Sequence, residues 1–228
     1  MTTIHSYDPH ELLGELNEVE SKNAPERLEI AGDVDLVRYG RRVSVVGSRK
    51  VSDEGQRRAK ALVEQLVEGG IIVVSGLASG LDTVAHTTAM ACGGRTVAVL
   101  GTPLDKFYPA ANKDLQQTIM TEHAAVSQFP SGYPATPKNF PMRNRTMALL
   151  TDATIIVEAS EKSGTRHQGW EALRLGRAVY LLENILADES LTWPKEMISY
   201  GAEVLTRENL CMLIEELPAY TDREAIAL

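Results

Sequence analysis

The chain reads as an α/β protein with an extended Rossmann-like fold, a mostly parallel central sheet carrying helices on both faces. Three observations lead there. Short runs of β-branched and other apolar residues alternate with amphipathic segments at the spacing of βαβ units. The runs Ile71–Ser75 and Thr96–Leu100 are apolar nearly throughout, as in strands covered on both faces. Glycine-bearing turns follow the strands at Gly47, at Gly76 and Gly80, at Gly101 and at Ser163-Gly164. In sheets of this kind ligands bind at the carboxyl ends of the strands.

In chain order, residues 1–36 predict a helical lead-in with a weak apolar period (Leu12, Leu13, Leu16, Val19), too short for a domain of its own. A Rossmann-like domain is expected over 37–217, with a tail over 218–228. Its first clear strand ends in Val43-Ser-Val-Val-Gly-Ser-Arg-Lys50. Ser52, with Gly55 nearby, starts a helix whose stripe is Ala59, Leu62, Val63, Leu66 and Val67, and Gly69-Gly70 stops it. Ile71–Ser75 is the second strand, Leu81–Cys92 a helix closed by Gly93-Gly94, and Thr96–Leu100 the third strand. After a loop holding Pro103 and Pro109 come a helix over 114–122 and a strand over 124–128. The proline-rich segment Phe129–Pro141 is expected to be irregular. The remaining elements are a helix over 143–150, a strand over 153–157, a helix over 165–175 ended by Gly176, strands over 178–182 and 201–205, and a last helix over 208–216.

At 228 residues, 43% hydrophobic and 24% charged, the chain has the profile of a globular protein. It has no apolar run of eighteen residues, so no membrane-spanning helix is expected, and its start has no signal-peptide pattern. Cys92 and Cys211 are isolated, which suits a reduced cytoplasm and excludes a cysteine-based metal site. The net charge of −8 argues against a nucleic-acid binder until its distribution is read. Residues 1–36 carry −7 and residues 183–228 carry −7, whereas 37–182 hold eighteen Lys/Arg against twelve Asp/Glu. A basic middle between acidic ends suits local anion binding with little loose contact.

Four stretches carry chemistry. Gly47, Ser48, Arg49 and Lys50 end a strand where free N–H groups of the next helix suit a phosphate, and Arg49 adds a planar fork for a phosphate or a base edge. The spacing is neither Gly-x-Gly-x-x-Gly nor a phosphate loop ending in Lys-Ser/Thr, so dinucleotide dehydrogenase and P-loop readings are both weak. The turn bearing Gly76 and Gly80 leads to Asp82 and His86, four apart on one helical face. They are either a general-base pair or groups that orient the turn and a neighbouring loop. Lys138, Phe140, Arg143, Asn144 and Arg145 form the patch most like a nucleic-acid site. Its cations would hold phosphates and its aromatic would stack on a base, unless Phe140 anchors the loop instead. Ser163, Gly164 and Thr165 open a helix in an anion-binding arrangement, with Glu171 two turns in as a contact for a ribose or nucleotide. No metal constellation, activated nucleophile or carboxylate pair is present, so neither cofactor nor catalytic residue is expected.

These stretches together resemble the DNA-processing protein A (DprA/Smf) family. The resemblance rests on Val45-Val-Gly-Ser-Arg, Val73-Val-Ser-Gly-Leu-Ala-Ser-Gly-Leu-Asp82, Gly93-Gly-Arg-Thr-Val-Ala-Val-Leu-Gly101, Leu104-Asp with Tyr108-Pro109, Asn139-Phe-Pro-Met-Arg-Asn-Arg145 and Ser163-Gly-Thr. It implies a protein of DNA processing, uptake or recombination in natural transformation that binds single-stranded DNA, forms a homodimer and loads the RecA recombinase. Arg49 and the Lys138–Arg145 patch would hold the DNA. The family usually adds a small helical domain before this core and a winged-helix-like domain after it; neither is evident here. A second class stays open, a nucleotide-binding sensor or a nucleoside-monophosphate phosphoribohydrolase of the same superfamily with Glu171 on the ribose side.

Overall fold

The computed structural model describes residues 2–217. The chain opens with β1 (Ile4–Tyr7), α1 (Pro9–Leu13), α2 (Glu18–Asn23), β2 (Leu28–Gly32) and α3 (Asp35–Arg38). The wound part begins with β3 (Arg42–Gly47), α4 (Asp53–Glu68), β4 (Ile72–Ser75), α5 (Leu81–Ala91) and β5 (Thr96–Leu100). It continues with α6 (Lys113–Glu122), β6 (Ala124–Ser127), α7 (Asn139–Leu149), β7 (Ala153–Glu158), α8 (Thr165–Arg174) and β8 (Ala178–Leu182). Helices α9 (Glu183–Leu186) and α10 (Trp193–Ser199), strand β9 (Glu203–Leu205) and α11 (Arg207–Glu216) complete it.

Among the described residues nine strands form one sheet in the order β1-β2-β6-β5-β4-β3-β7-β8-β9. The pairs from β6 through to β9 are parallel, and β1–β2 and β2–β6 are antiparallel. Successive residues of a strand point to opposite faces. Val43 and Val45 accordingly join the core under α4, α5 and α11, and Val46 joins the one under α7, α8 and α10. This double cover explains why the inner strands are apolar without alternation. The expected α/β class, with a mostly parallel sheet and helices on both faces, is what the chain adopts.

The N-terminal segment departs from expectation. Residues 1–36 hold two strands besides their helices, and the boundary expected at residue 37 runs through one continuous sheet. β2 pairs with β6 from Glu29↔Ser127 to Gly32↔Ala124, and β1 adds an outer edge. Both were illegible for physical reasons. β1 is a short polar edge strand without periodicity, and β2 lies behind a stretch whose apolar spacing is helical. The α1 and α2 starts are well signalled, by capping boxes of Asp8 with Glu11 and of Asn17 with Glu20. Leu12 and Leu13 are buried as their stripe requires, but Val19 is 45% exposed. A buried ion pair, Glu20 with Arg177, fastens α2 to the turn before β8.

The proline-rich segment is irregular only to Lys138. Asn139, Phe140 and Pro141 already form the first turn of α7, where a proline's missing N–H leaves no helical bond unmade. The expected tail over 218–228 lies outside the described residues. Among those described, no helix is long and apolar enough to cross a membrane.

Ile30 of β2 is 1% exposed. Replacing it by Ala is expected to cost about 2–4 kcal/mol in urea unfolding, and Val19→Ala about 0.5 kcal/mol or less. Equal small effects would mean that the N-terminal strands are not integral to the core.

Candidate functional site

Strand β3 lies between β4 and β7, so the strand order reverses at β3. The chain leaving β3 turns to one face and the chain leaving β7 to the other, and the crevice between them is where a doubly wound sheet takes its ligand. A cleft of about 670 Å³ occupies that place. The β3–α4 turn lines it with Gly47, Ser48, Arg49 and Lys50. The β7–α8 loop lines it with Ser160, Lys162, Ser163, Gly164 and Thr165, and the first turns of α7 with Phe140, Pro141, Arg143 and Asn144.

Gly47 is required by close approach. A Cβ there would stand 2.5 Å from Leu81 Cδ1 and 3.0 Å from the Glu158 carbonyl. Its carbonyl accepts a 2.9 Å bond from Thr165 Oγ1, which ties the two turns together. Ser163 Oγ donates to Thr165 Oγ1 at 2.8 Å and accepts from Thr165 N–H at 3.2 Å, shaping the start of α8. Ser48 Oγ closes its own turn, accepting from Lys50 N–H at 3.2 Å.

The N-terminus of α4 is not the anion site its sequence suggested. Ser52 N–H donates to Glu158 Oε1 at 3.1 Å, Ser52 Oγ donates to the other carboxylate oxygen, and Gly55 N–H donates to Ser52 Oγ at 2.9 Å. The protein thus supplies its own negative charge to the positive end of the helix. The phosphate-binding capacity of this turn rests on Arg49 and Lys50 instead.

The cations divide sharply. Arg145 is paired with Glu171 at 3.1 Å and lies along a separate groove with Met142, Arg27 and Lys22. Neither Arg145 nor Glu171 lines the cleft. The expected joint role of Arg145 with Arg49 is therefore corrected, as is a ribose contact by Glu171 in this cleft. Lys138 is exposed, one residue before α7, and also stands outside the cleft lining. Arg143 is buried; its Nη1 donates to the Val99 carbonyl at 3.0 Å, so it supports the cleft floor and is not a freely presented cation. By contrast, Arg49, Lys50 and Lys162 have no carboxylate within 4 Å among the described residues. The Arg49 guanidinium lies 5.6 Å from the centroid of the Phe140 ring. That ring is half-buried, 5.5 Å from Tyr108, and packs on Gly101, where a Cβ would stand 2.8 Å from it. Phe140 thus both anchors its segment and faces the cleft.

Gly76 and Gly80 serve packing and do not line the cleft. A Cβ at 76 would overlap the Arg143 guanidinium, and one at 80 would stand 2.4 Å from the Arg49 carbonyl. Asp82 accepts from Ala78 N–H at 3.2 Å and so orients the turn. Burial raises its pKa, and the nearby charge of Arg143 opposes the rise. His86 Nδ1 meets Thr96 Oγ1 at 2.7 Å, and burial lowers its pKa to about 3. These two side chains are structural and are not an exposed acid–base pair.

Several cleft residues were missed. Lys162 and Ser160 sit in the β7–α8 loop beside the expected Ser163-Gly164, and the switch-point position was the signal for them. Gln168 lines the cleft three residues after Thr165, hence on the same helical face, a relation that helical spacing would have disclosed. Among the described residues no group of His, Cys, Asp and Glu is placed to hold a metal ion.

Doubly wound α/β proteins as a class take their ligands at the switch point of the sheet, where this chain has its basic cleft. The sequence is more specific. The family model described as DNA recombination-mediator protein A matches residues 4–217. The chain belongs to that family. A relative, the DNA processing protein DprA of Streptococcus pneumoniae, is 38% identical over 184 residues, covering 81% of this chain and 64% of its own length. The chain thus spans less than two thirds of that relative. The X-ray structure of DprA from the same organism superposes with a TM-score of 0.80 at 32% identity, covering 94% of this chain and 75% of that one. A Helicobacter pylori DNA processing protein A, described by its unique single-stranded DNA binding mode, superposes at 0.79 and 22% identity over 95% of this chain and 98% of that one, a likeness of fold.

The buried His86 sets a pH dependence. The unfolded chain protonates this group near pH 6.5 and the folded one near pH 3. Between those values the unfolded state binds more protons, so stability falls with falling pH by up to about 1.4 kcal/mol per unit from this group. In urea unfolding, wild type is expected to lose stability relative to His86→Gln between pH 7 and pH 5. A pH-independent difference would refute the assignment. Asp82 acts with the opposite sign, but in both proteins.

Proposed function

We propose that the cleft binds single-stranded DNA and that the protein is a binding component of DNA processing and recombination, not a hydrolase. One observation carries this reading: three cations without carboxylate partners, Arg49, Lys50 and Lys162, converge on a cleft that Phe140 also lines, with the Arg49 guanidinium over its ring. Cations along a groove hold successive phosphates, and an aromatic accepts a base of any kind on its face. A duplex would offer the phosphates but no unstacked base. Family membership supports the same ligand class. Homodimer formation, a cytoplasmic location and engagement of RecA belong to the proposal through that family.

The nucleotide-sensor and phosphoribohydrolase reading needs a carboxylate on the ribose side. Its candidate, Glu171, is held by Arg145 away from the cleft lining, which favours the strand-binding reading.

Fluorescence anisotropy with a labelled oligothymidine tests the proposal. Arg49→Ala is expected to weaken binding about tenfold or more at low salt and to flatten the slope of log K against log salt by about 0.7. Arg145→Ala, whose partner is Glu171, should change affinity less than about threefold. Equal binding by wild type and Arg49→Ala would refute the site.

A further inference from the structure

Gln168 is 1% exposed, yet neither Nε2 nor Oε1 of its side chain has a hydrogen-bond partner. Among the other described residues of the cleft wall, only Arg143 also leaves a buried side-chain donor unmet, its Nε. Thr165 Oγ1 donates to the Gly47 carbonyl, Ser163 Oγ to Thr165 Oγ1, and Arg143 Nη1 to the Val99 carbonyl. A buried primary amide with two N–H groups and an acceptor unmet is rare in folded proteins and calls for a partner that binds there. Gln168 lies one turn inside α8, behind the Ser163-Gly164 turn and on the cleft that Phe140 and Met147 also line.

We infer that Gln168 is the base-reading group of this cleft, receiving the Watson–Crick edge of one unpaired nucleobase and thereby selecting single strands over duplex. The inference rests on the proposed DNA binding and adds to it the residue that discriminates. The choice of ligand follows from the amide's chemistry. A phosphate only accepts, so it would leave Oε1 unmet. Each nucleobase presents a donor and an acceptor side by side on its pairing edge, and an amide turned over by half a rotation fits either order. Phe140 and Met147 supply the apolar surface that the faces of a base need. Arg49, Lys50 and Lys162 remain free for the flanking phosphates. Two consequences follow. Recognition is tolerant of sequence, because the amide adapts to each base. It is intolerant of duplex, because a paired base has already committed that edge.

The replacement Gln168→Glu distinguishes this role from a structural one. A carboxylate only accepts, and guanine alone among the four bases offers two adjacent donors on that edge, N1–H and N2–H. Anisotropy titrations with labelled oligonucleotides carrying a single A, C, G or T in an otherwise abasic strand would be read for wild type, Gln168→Glu and Gln168→Met. Wild type is expected to bind the four bases within about threefold of one another and an entirely abasic strand about tenfold more weakly. Gln168→Glu should shift preference toward guanine about tenfold relative to the other bases, and Gln168→Met should lower the ratio of single-strand to duplex affinity about tenfold. Wild-type affinity for the abasic strand equal to that for the base-bearing ones overturns the inference without recourse to any variant. So does an unchanged base preference in a folded Gln168→Glu, and either result with Arg49→Ala still deleterious leaves strand binding intact. Absence of wild-type binding to every strand, or insensitivity to Arg49→Ala, would remove the DNA-binding reading itself.

Discussion

Strand β3 has β4 on one side and β7 on the other, and the chains leaving β3 and β7 therefore part to opposite faces of the sheet before entering α4 and α8. That parting opens the cleft, and much of the site follows from how its two turns are held together. Gly47 shifts the register against β7 and pairs with Glu158. The Thr165 hydroxyl reaches across to the Gly47 carbonyl, and the Glu158 carboxylate reaches back to the start of α4. Each turn is positioned by a group from the other, so neither forms the cleft wall alone.

The electrostatics beneath and above this frame are of different kinds. Below, Asp82, His86 and Arg143 are buried and each makes a bond within the protein, to an N–H of the 76–80 turn, to Thr96 and to the Val99 carbonyl. Their protonation is shifted mainly by desolvation, which is the ordinary fate of ionisable groups under a sheet. Above, Arg49, Lys50 and Lys162 are left to solvent or a ligand. A negative net charge on the whole chain is compatible with this arrangement because the field at a cleft is set by the nearest unpaired charges, and salt screens the acidic ends over about 8–10 Å.

The N-terminal segment completes the sheet and is no separate appendage. β2 covers the edge of β6 that would otherwise offer unpaired backbone groups, and the short polar β1 ends the sheet with little apolar surface. The Glu20–Arg177 pair makes the same segment contact the far half of the sheet. Along this side of α7, Met142 and Arg145 face the second groove while Phe140, Arg143 and Asn144 face the first. The helix is thus a ridge between two clefts, and residues adjacent in sequence have unrelated surroundings.

The sequence by itself determined the doubly wound class, the order of strands and helices from β3 to β8 with the closing β9 and α11 but not α9 and α10, the cleft-forming turns at Gly47 and Ser163-Gly164, and the family. Those features are local or periodic: apolar runs bounded by glycine, helix starts at Ser52 and Thr165, and short motifs of contiguous residues. The tertiary structure alone decided that β1 and β2 extend the sheet, because an edge strand carries no period of its own. It alone separated Arg49 from Arg145 and Arg143, because a helix turns successive side chains through about 100° each and gives each a different partner. It also withdrew the α4 N-terminus from ligand binding, since Glu158, more than a hundred residues from Ser52, had already answered it. Which charges are free is a property of pairs, and pairs are made by the fold.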